Sequence, residues 1–562
     1  MSNVFFAPIL WVMLITVLGY GVYFMYTKKL SMGVSREFLG VVVASIVMAV
    51  TIAFFTTPTI FSGRDQGSYS ATAIHLVENH KLAFSTPAST AFFTLHGPGK
   101  ALNFPGFDYT TDGSLITQFP LGYIVWLASF FALFGLSGLI IANAITLALF
   151  LIAFYLLIKL FASRFYAVWG FVITAVSLPV VWFSKMTLSE NLALTLFTLL
   201  ALNLVLALKK QSTFFATIAL ALAGFFVFTR IEGIAFLCIT IIILALSQKN
   251  RLLWKSKPIP YILLPALIFS ILLVRNFFVN FPFYKTVAKA GLSKWHSFFE
   301  PCVTADCLTD KTLPLWGIFW SYGLIPVFIV GIVSVIIIFK SRHKLALIPF
   351  LLALPTFFYL FSPNISIDHP WMLRRFIFSI YPSLLFSAII GIAIIQSFLT
   401  QKYFTYPLLK KRYYATLLLV ILFLSGLPFA LGYITFTENK GLLEQTKVLA
   451  GHFSSTDLVL VDRLATGDAW SMLPEPLNYF GVTNAVYFFN PEDFATLNRS
   501  GFSATYLIVS ADEAPRYLAS SAMRFTPVST FTFDTERLAP STENILPQKV
   551  RSTMKVMILK VE

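Results

Sequence analysis

Residues 139–158 read LIIANAITLALFLIAFYLLI, twenty positions without one charged side chain. At about 1.5 Å per residue, a helix of this length crosses the roughly 30 Å of a bilayer's hydrocarbon. Apolar runs of similar length recur at 4–26, 36–56, 139–161, 165–183, 189–208, 213–229, 231–247, 258–279, 313–339, 345–361, 376–399 and 413–436. Such runs leave few folding options. In lipid, every backbone N–H and C=O must be satisfied within the segment, so the spans must be helices. Composition agrees: the chain is 57% hydrophobic and 12% charged, against roughly 25% charged in soluble domains. Mean hydropathy is +0.79. The expectation is a mainly α, polytopic membrane protein. The 60 phenylalanines suit lipid-facing and packing surfaces and identify no activity.

A net charge of +16 would suggest nucleic acid in a soluble chain. Here the basic residues fall in the connections: Lys28, Lys29 and Arg36; Lys159 and Arg164; Lys209 and Lys210; Lys249 to Lys257; Lys340 to Lys344; Lys402 to Arg412. Cytoplasmic loops of membrane proteins are enriched in this way, so no nucleic-acid partner is expected. All these loops share one side if 119–135, FPLGYIVWLASFFALFG, does not cross. That stretch is expected to be re-entrant or interfacial, covered by protein or a cavity. Twelve crossings follow, with both termini outside. The outer side then holds loop 57–138, the turns around Lys185–Glu190 and Arg230–Glu232, loops 280–312 and 362–375, and the tail from 437. Two units are expected: a transmembrane domain, 1–436, and a small extracytoplasmic α/β domain, 437–562. In the second, a helical NKGLLEQTKVLAGHF precedes strand-like runs at 457–462, 484–489, 504–510 and 555–561.

The run from Val4 to Met25 lacks a basic leader and a cleavage site, and reads as a helix. Cys238 lies in an apolar run. Cys302 and Cys307 share the loop EPCVTADCLTD and form a disulfide candidate if that loop faces an oxidising compartment. His296, Asp306, Asp368 and His369 have no metal-ligand spacing. A divalent cation between Asp65 and Glu190 stays an open option without a ligand pattern behind it. There is no internal repeat and no GxxxxGK[ST] fingerprint.

The polar stretch SGRDQGSYSATAIHLVE follows the span 36–56. Asp65 reads in two ways: as a helix cap, or as an acid held at the bilayer boundary. Tyr69, Ala73, Leu76 and Val77 share one face, which suits a helix lying on the membrane surface. Glu190 opens a span, where an acid suits the helix N-terminus. Arg230 and Glu232 sit between two apolar runs with almost no loop, a costly place for charge unless it is paired or faces a cavity. Arg374, Arg375 and Lys185 read either as headgroup anchors or as phosphate ligands.

The order of these motifs resembles the GT-C superfamily of integral-membrane glycosyltransferases, in the branch of protein O-mannosyltransferases and aminoarabinose transferases. GRDQGSYSATAIHL is similar to the family's first outer loop, with Asp65 at the acidic position and Tyr69 at the aromatic one; Gln66 stands where a second acid is frequent. FPLGYIVWLASFFALFG, WFSKMTLSENLALTLF, FTRIEGIAFL and DHPWMLRRFIFSIYPSLLF follow in the family's order. The resemblance implies an inverting transfer of a monosaccharide from a polyprenyl-phosphate donor at the outer face of the plasma (inner) membrane. Asp65 would be the base or acceptor-orienting acid, with Glu190 as a second acid. Arg64, Tyr69, Lys185, Arg230, Arg374 and Arg375 would contact substrate. No cofactor is certain; a divalent cation is allowed. A transporter or flippase predicts charge deep within spans and repeated halves, whereas here charge gathers at span ends. A glycan polymerase or ligase would favour a dominant Arg-rich outer loop in mid-chain, and an oligosaccharyltransferase a Trp-Trp-Asp-type motif in the tail. A scaffold would need no acid and Arg on separate outer loops.

Overall fold

The computed structural model describes residues 35–60, 65–246, 270–278, 322–360, 373–402, 413–466, 471–489, 496–519, 523–539 and 547–562, with scattered positions in 8–16, 285–289 and 317–320. Among the described residues, five helices are long and apolar enough to cross a membrane: α1 (Arg36–Phe54), α5 (Leu136–Lys159), α8 (Ser189–Lys210), α14 (Ile380–Lys402) and α15 (Tyr413–Ile434). Shorter apolar helices lie between them: α4 (Leu121–Phe134), α9 (Thr213–Thr229), α10 (Gly233–Leu246) and α11 (Ile325–Lys340). The expected first span and most of 258–279 fall outside the described residues.

The expected span 165–183 is two helices, α6 (Arg164–Ala175) and α7 (Leu178–Phe183). Pro179 is the reason: it cannot supply the N–H that a continuous helix needs, but it suits the first turn of a new one. Likewise 345–361 is broken by Pro349 and Pro355 into a 3₁₀ turn, α12 (Ile348–Ala353) and a 3₁₀ run, Leu354–Leu360.

The basic helix ends converge at one end of the bundle. Lys159 at the end of α5 lies 3.6 Å from Glu37 in the first turn of α1. Lys209 at the end of α8 donates to the Leu160 carbonyl at 2.7 Å. The opposite end carries the expected site residues.

Helix α4 keeps to that opposite end. Near its start, Tyr123 donates to Asn143 of α5 at 2.7 Å, and Asn143 donates to the Met186 carbonyl at 2.8 Å. Near its other end, Phe131 packs edge-on against Tyr479 of the C-terminal domain. The chain then reverses into α5 at Gly135, whose φ of +60° favours a residue without Cβ.

Loop 57–138 is ordered over most of its length. It forms α2 (Asp65–Asn79), α3 (Pro87–His96) and a three-stranded antiparallel sheet of β1 (Gly99–Lys100), β2 (Phe107–Tyr109) and β3 (Leu115–Thr117). The surface helix expected after Asp65 is instead enclosed. Ser68, Tyr69, Ser70, Thr72, Ala73, Ile74 and Leu76 are all buried. The small residues between the apolar ones let α2 be covered on more than one side. At Gly106, a Cβ would come within 2.4 Å of Ser68.

The C-terminal unit begins with α16 (Leu442–Ala450) and holds one mixed sheet, in the order β5-β4-β6-β8-β7. Its strands are β4 (Leu458–Asp462), β5 (Ala485–Phe488), β6 (Thr505–Ser510), β7 (Phe525–Ala539) and β8 (Gln548–Val561), with the helices α17 (Pro474–Tyr479) and α18 (Ala514–Leu518) between strands. β4 is parallel to β5 and β6; β8 is antiparallel to β6 and β7. One sheet face packs with α3 and the small sheet: Leu458, Leu460 and Val486 share a cluster with Phe92 and Phe107. The alternate residues Val459, Val461 and Ala485 join the main core with the membrane helices, as the two-residue period of a strand dictates.

Candidate active site

Four separate segments meet at the end of α2. Asp65 is the first helical residue, and its Oδ2 accepts from Nη1 of Arg374. Arg374 opens α13 (Arg374–Ile377), 309 residues away in the sequence. Its Nε also lies 3.8 Å from Glu190 Oε1 in the first turn of α8. The same Glu190 oxygen pairs with Arg230 Nη1 at 2.9 Å. Arg230 in turn forks onto Glu232, with Nε at 3.2 Å from one oxygen and Nη2 at 3.0 Å from the other. Glu232 accepts a further bond from the Tyr359 hydroxyl.

The result is an alternating row: Asp65, Arg374, Glu190, Arg230, Glu232. Acids in such a place are tolerable only with cations beside them, because an isolated buried charge costs several kcal/mol. Arg230 also lies over the Phe378 ring, 4.6 Å from its centroid, and Arg375 over Tyr359 at 5.2 Å. Both use the electron-rich ring face.

The row has an enclosed part and an exposed end, with Arg230 at 12% among the enclosed members. The side chain of Glu190 is 4% exposed and that of Glu232 9%, whereas Arg374 is 28% and Asp65 38% exposed. Glu190 sits between two arginines, beyond the reach of a bulky substrate. Among the described residues the Asp65 carboxylate pairs with Arg374, and it is the most exposed member of the row.

Tyr69 enters from one turn along α2. Its hydroxyl donates to Ser189 at 3.2 Å, and Ser189 also receives Arg230 Nη1 at 3.1 Å. Burial, with Glu190 close by, pushes the Tyr69 phenol above its ordinary value, so it stays a proton donor. Its ring packs 4.4 Å from Phe119 and 5.4 Å from Tyr123. Thr187 donates to the Gln66 carbonyl at 2.9 Å, and the Oε1 of Gln66 is buried without a partner among the described residues.

Lys185 stands apart from this row. Its ammonium donates to four carbonyls: Phe55 at 3.0 Å, Tyr433 and Ile434 at 2.9 Å, and Phe436 at 2.6 Å. Burial lowers it to about 8. It ties the ends of α1 and α15 together, so its charge is spent on backbone. Arg64, Cys302, Cys307, His296, Asp306, Asp368 and His369 lie outside the described residues. No group of three His, Cys, Asp or Glu that could hold a metal occurs among the described residues. Two members of the network escape sequence reasoning as site residues. Glu232 is signalled by its place beside Arg230 between two apolar runs. Tyr359 carries no signal, because nothing marks one tyrosine at the end of an apolar run.

No family model and no curated protein sequence matches the chain. Solved structures do. The archaeal oligosaccharyltransferase AglB from Archaeoglobus fulgidus, in complex with an inhibitory peptide and a dolichol-phosphate, matches over 92% of this chain and 74% of its own, with a TM-score of 0.51 at 12% identity. ArnT from Cupriavidus metallidurans bound to undecaprenyl phosphate matches over 94% of this chain and 98% of its own, with a TM-score of 0.48 at 12% identity. At this identity the likeness is one of fold alone: the chain shares its fold with the archaeal oligosaccharyltransferase.

Proposed function

We propose that the chain moves a monosaccharide from a polyprenyl-phosphate donor to an acceptor at the outer face of the plasma (inner) membrane, with inversion. The observation that carries this reading is the row from Glu232 to Asp65, a largely enclosed charge network whose accessible end pairs one carboxylate with one guanidinium. A phosphate and an acceptor need those two groups side by side. Arg374 offers N–H groups to the donor phosphate, the fork geometry that suits it. Asp65 then receives the proton of the acceptor. The bond between the anomeric carbon and the phosphate oxygen breaks as the acceptor bonds to the opposite face of that carbon. The electron pair leaves on the polyprenyl phosphate, and the sugar passes through an oxocarbenium-like state. Glu190, Glu232 and Arg230 are positioning residues that hold Arg374. Arg375 keeps its place over Tyr359 and lends positive potential. Beside Arg374, the chain at Leu373 packs in an apolar patch with Leu178, Trp182, Tyr322 and Tyr433, a surface that suits a lipid tail. The C-terminal domain, 437–562, is read as extracytoplasmic, covering the site.

The test uses membranes carrying the full chain and labelled polyprenyl-phosphate sugar, with transfer followed by product mass. Asp65→Asn should lower turnover by at least about 100-fold while the protein stays inserted and folded. Normal turnover in Asp65→Ala would remove the assignment. A mass increment larger than one sugar would replace monosaccharide transfer with transfer of an oligosaccharide.

A further inference from the structure

A second cavity lies between α2, loop 84–107 and the C-terminal domain. It is a cleft open to solvent, with a cavity volume of about 230 Å³. Ile74, His75, Glu78 and Asn79 of α2 form one wall; Glu475, Asn478, Tyr479 and Tyr487 form the other. At about 100° per residue, His75 and Glu78 point well away from the Asp65–Tyr69 side of α2. They also lie some 15–20 Å along the helix from Asp65. The cleft is therefore not the reaction centre.

We propose that this cleft binds an uncharged, hydroxyl-rich saccharide. Four observations carry it. First, no Lys or Arg lines the cleft among the described residues, which disfavours phosphates and acidic sugars. Second, the polar groups are unspent. Neither the His75 ring nor the Glu78 and Asn79 side chains has a hydrogen-bond partner among the described residues, and Glu475 accepts from Tyr487 at 2.7 Å and from a backbone N–H. Burial lowers His75 to about 4, so near neutrality its ring offers one donor and one acceptor, as a hydroxyl pair requires. Third, these groups alternate with the aromatic rings of Phe84, Phe104 and Tyr479; His75 itself stacks on Phe84 at 4.0 Å. Rings suit the C–H faces of sugars, and amides and carboxyls suit their hydroxyls.

The fourth observation weighs against a peptide. β5 is an edge strand, and an open edge would invite an extended peptide. This edge is closed. Asn103 donates to the Tyr487 carbonyl at 2.6 Å and accepts from the Tyr487 N–H at 3.3 Å. Asn478 does the same for Ala485, at 2.8 and 3.1 Å. The backbone has nothing left to offer a strand, and the side chains carry the recognition. The saccharide is identified as part of the acceptor only if Asp65 acts as proposed above; its binding here does not depend on that reading.

The experiment presents the full chain in nanodiscs to an array of neutral oligosaccharides, acidic oligosaccharides and peptides. At least one neutral oligosaccharide should bind. Glu78→Gln, Asn79→Leu and the cleft-filling Ser85→Trp should each weaken it about tenfold or more, the loss of a hydrogen bond or two. Ser85 is exposed, so its replacement leaves the core untouched. Asp65→Asn should bind as the unmodified chain does, which separates this proposal from the catalytic one. Binding by no neutral oligosaccharide, binding of peptides or acidic glycans alone, or equal binding by all three cleft variants would overturn it.

Discussion

Glu190 holds two arginines at once, Arg230 at 2.9 Å and Arg374 at 3.8 Å, and is almost fully enclosed. On the function proposed above its role is indirect: it aims Arg374 at the donor phosphate. Glu190→Gln keeps the shape but removes the charge that both guanidinium groups share. The expected stability loss is about 3 kcal/mol, the usual scale for breaking a buried pair on one side. In kinetics, the donor KM should rise while kcat falls less than in Asp65→Asn, because binding geometry suffers more than proton transfer. A variant with unchanged KM and a kcat loss equal to that of Asp65→Asn would show Glu190 to touch the reacting atoms. Sequence reading reached Asp65, Glu190, Arg230 and Arg374, because charges bordering apolar runs need a reason to be there. It could not tell which cation meets which acid. Lys185 and Arg374 look alike as outer-side cations, yet one is saturated by carbonyls and the other faces carboxylates.

Elements show the same division. The apolar runs were legible as helices because length and period are local properties. Breaks in them were less so: α6 and α7 are separated by Pro179, whose effect depends on what the neighbouring turn packs against. The long strand β7 was missed, although VSTFTFDTERL alternates in the manner of a strand, because it is too polar to stand out in so apolar a chain. Helix ends, in contrast, are fixed by a long-range device, the four carbonyls around Lys185. Lys185→Met should leave those carbonyls without a donor and cost about 2 kcal/mol or more. Thermal unfolding in detergent should show a lower midpoint, while the folded fraction keeps its transfer activity at low temperature. Loss of activity without loss of stability would instead place Lys185 among the substrate contacts.

At the scale of the whole molecule, loop 57–138 and the C-terminal sheet share a core, so the two fold against each other. Glu475 lies at this junction, its carboxyl pushed up to about 7 by burial from an ordinary 4.5. Between those two values the folded protein keeps a proton that the unfolded chain has released. The contribution is therefore fully present below about pH 4.5 and is lost as pH rises through 7, with a ceiling of roughly 3 kcal/mol. Glu475→Gln should abolish this slope. Melting midpoints of the two proteins should diverge from pH 5 to pH 8, with the variant more stable at the alkaline end. Parallel curves would show that the carboxyl titrates normally.

The pairing of Asp65 with Arg374 also says when this protein becomes competent during its manufacture. A ribosome meets the acid early and the guanidinium 309 codons later. The Lys185 tie waits longer still, until Phe436 has emerged. Contacts so distant along the chain are slow to close, so the first helices must wait in the bilayer without their final neighbours. A nascent chain halted before Arg374 would hold Asp65 without that guanidinium, and on the function proposed above transfer would wait until nearly all the apolar part had been made.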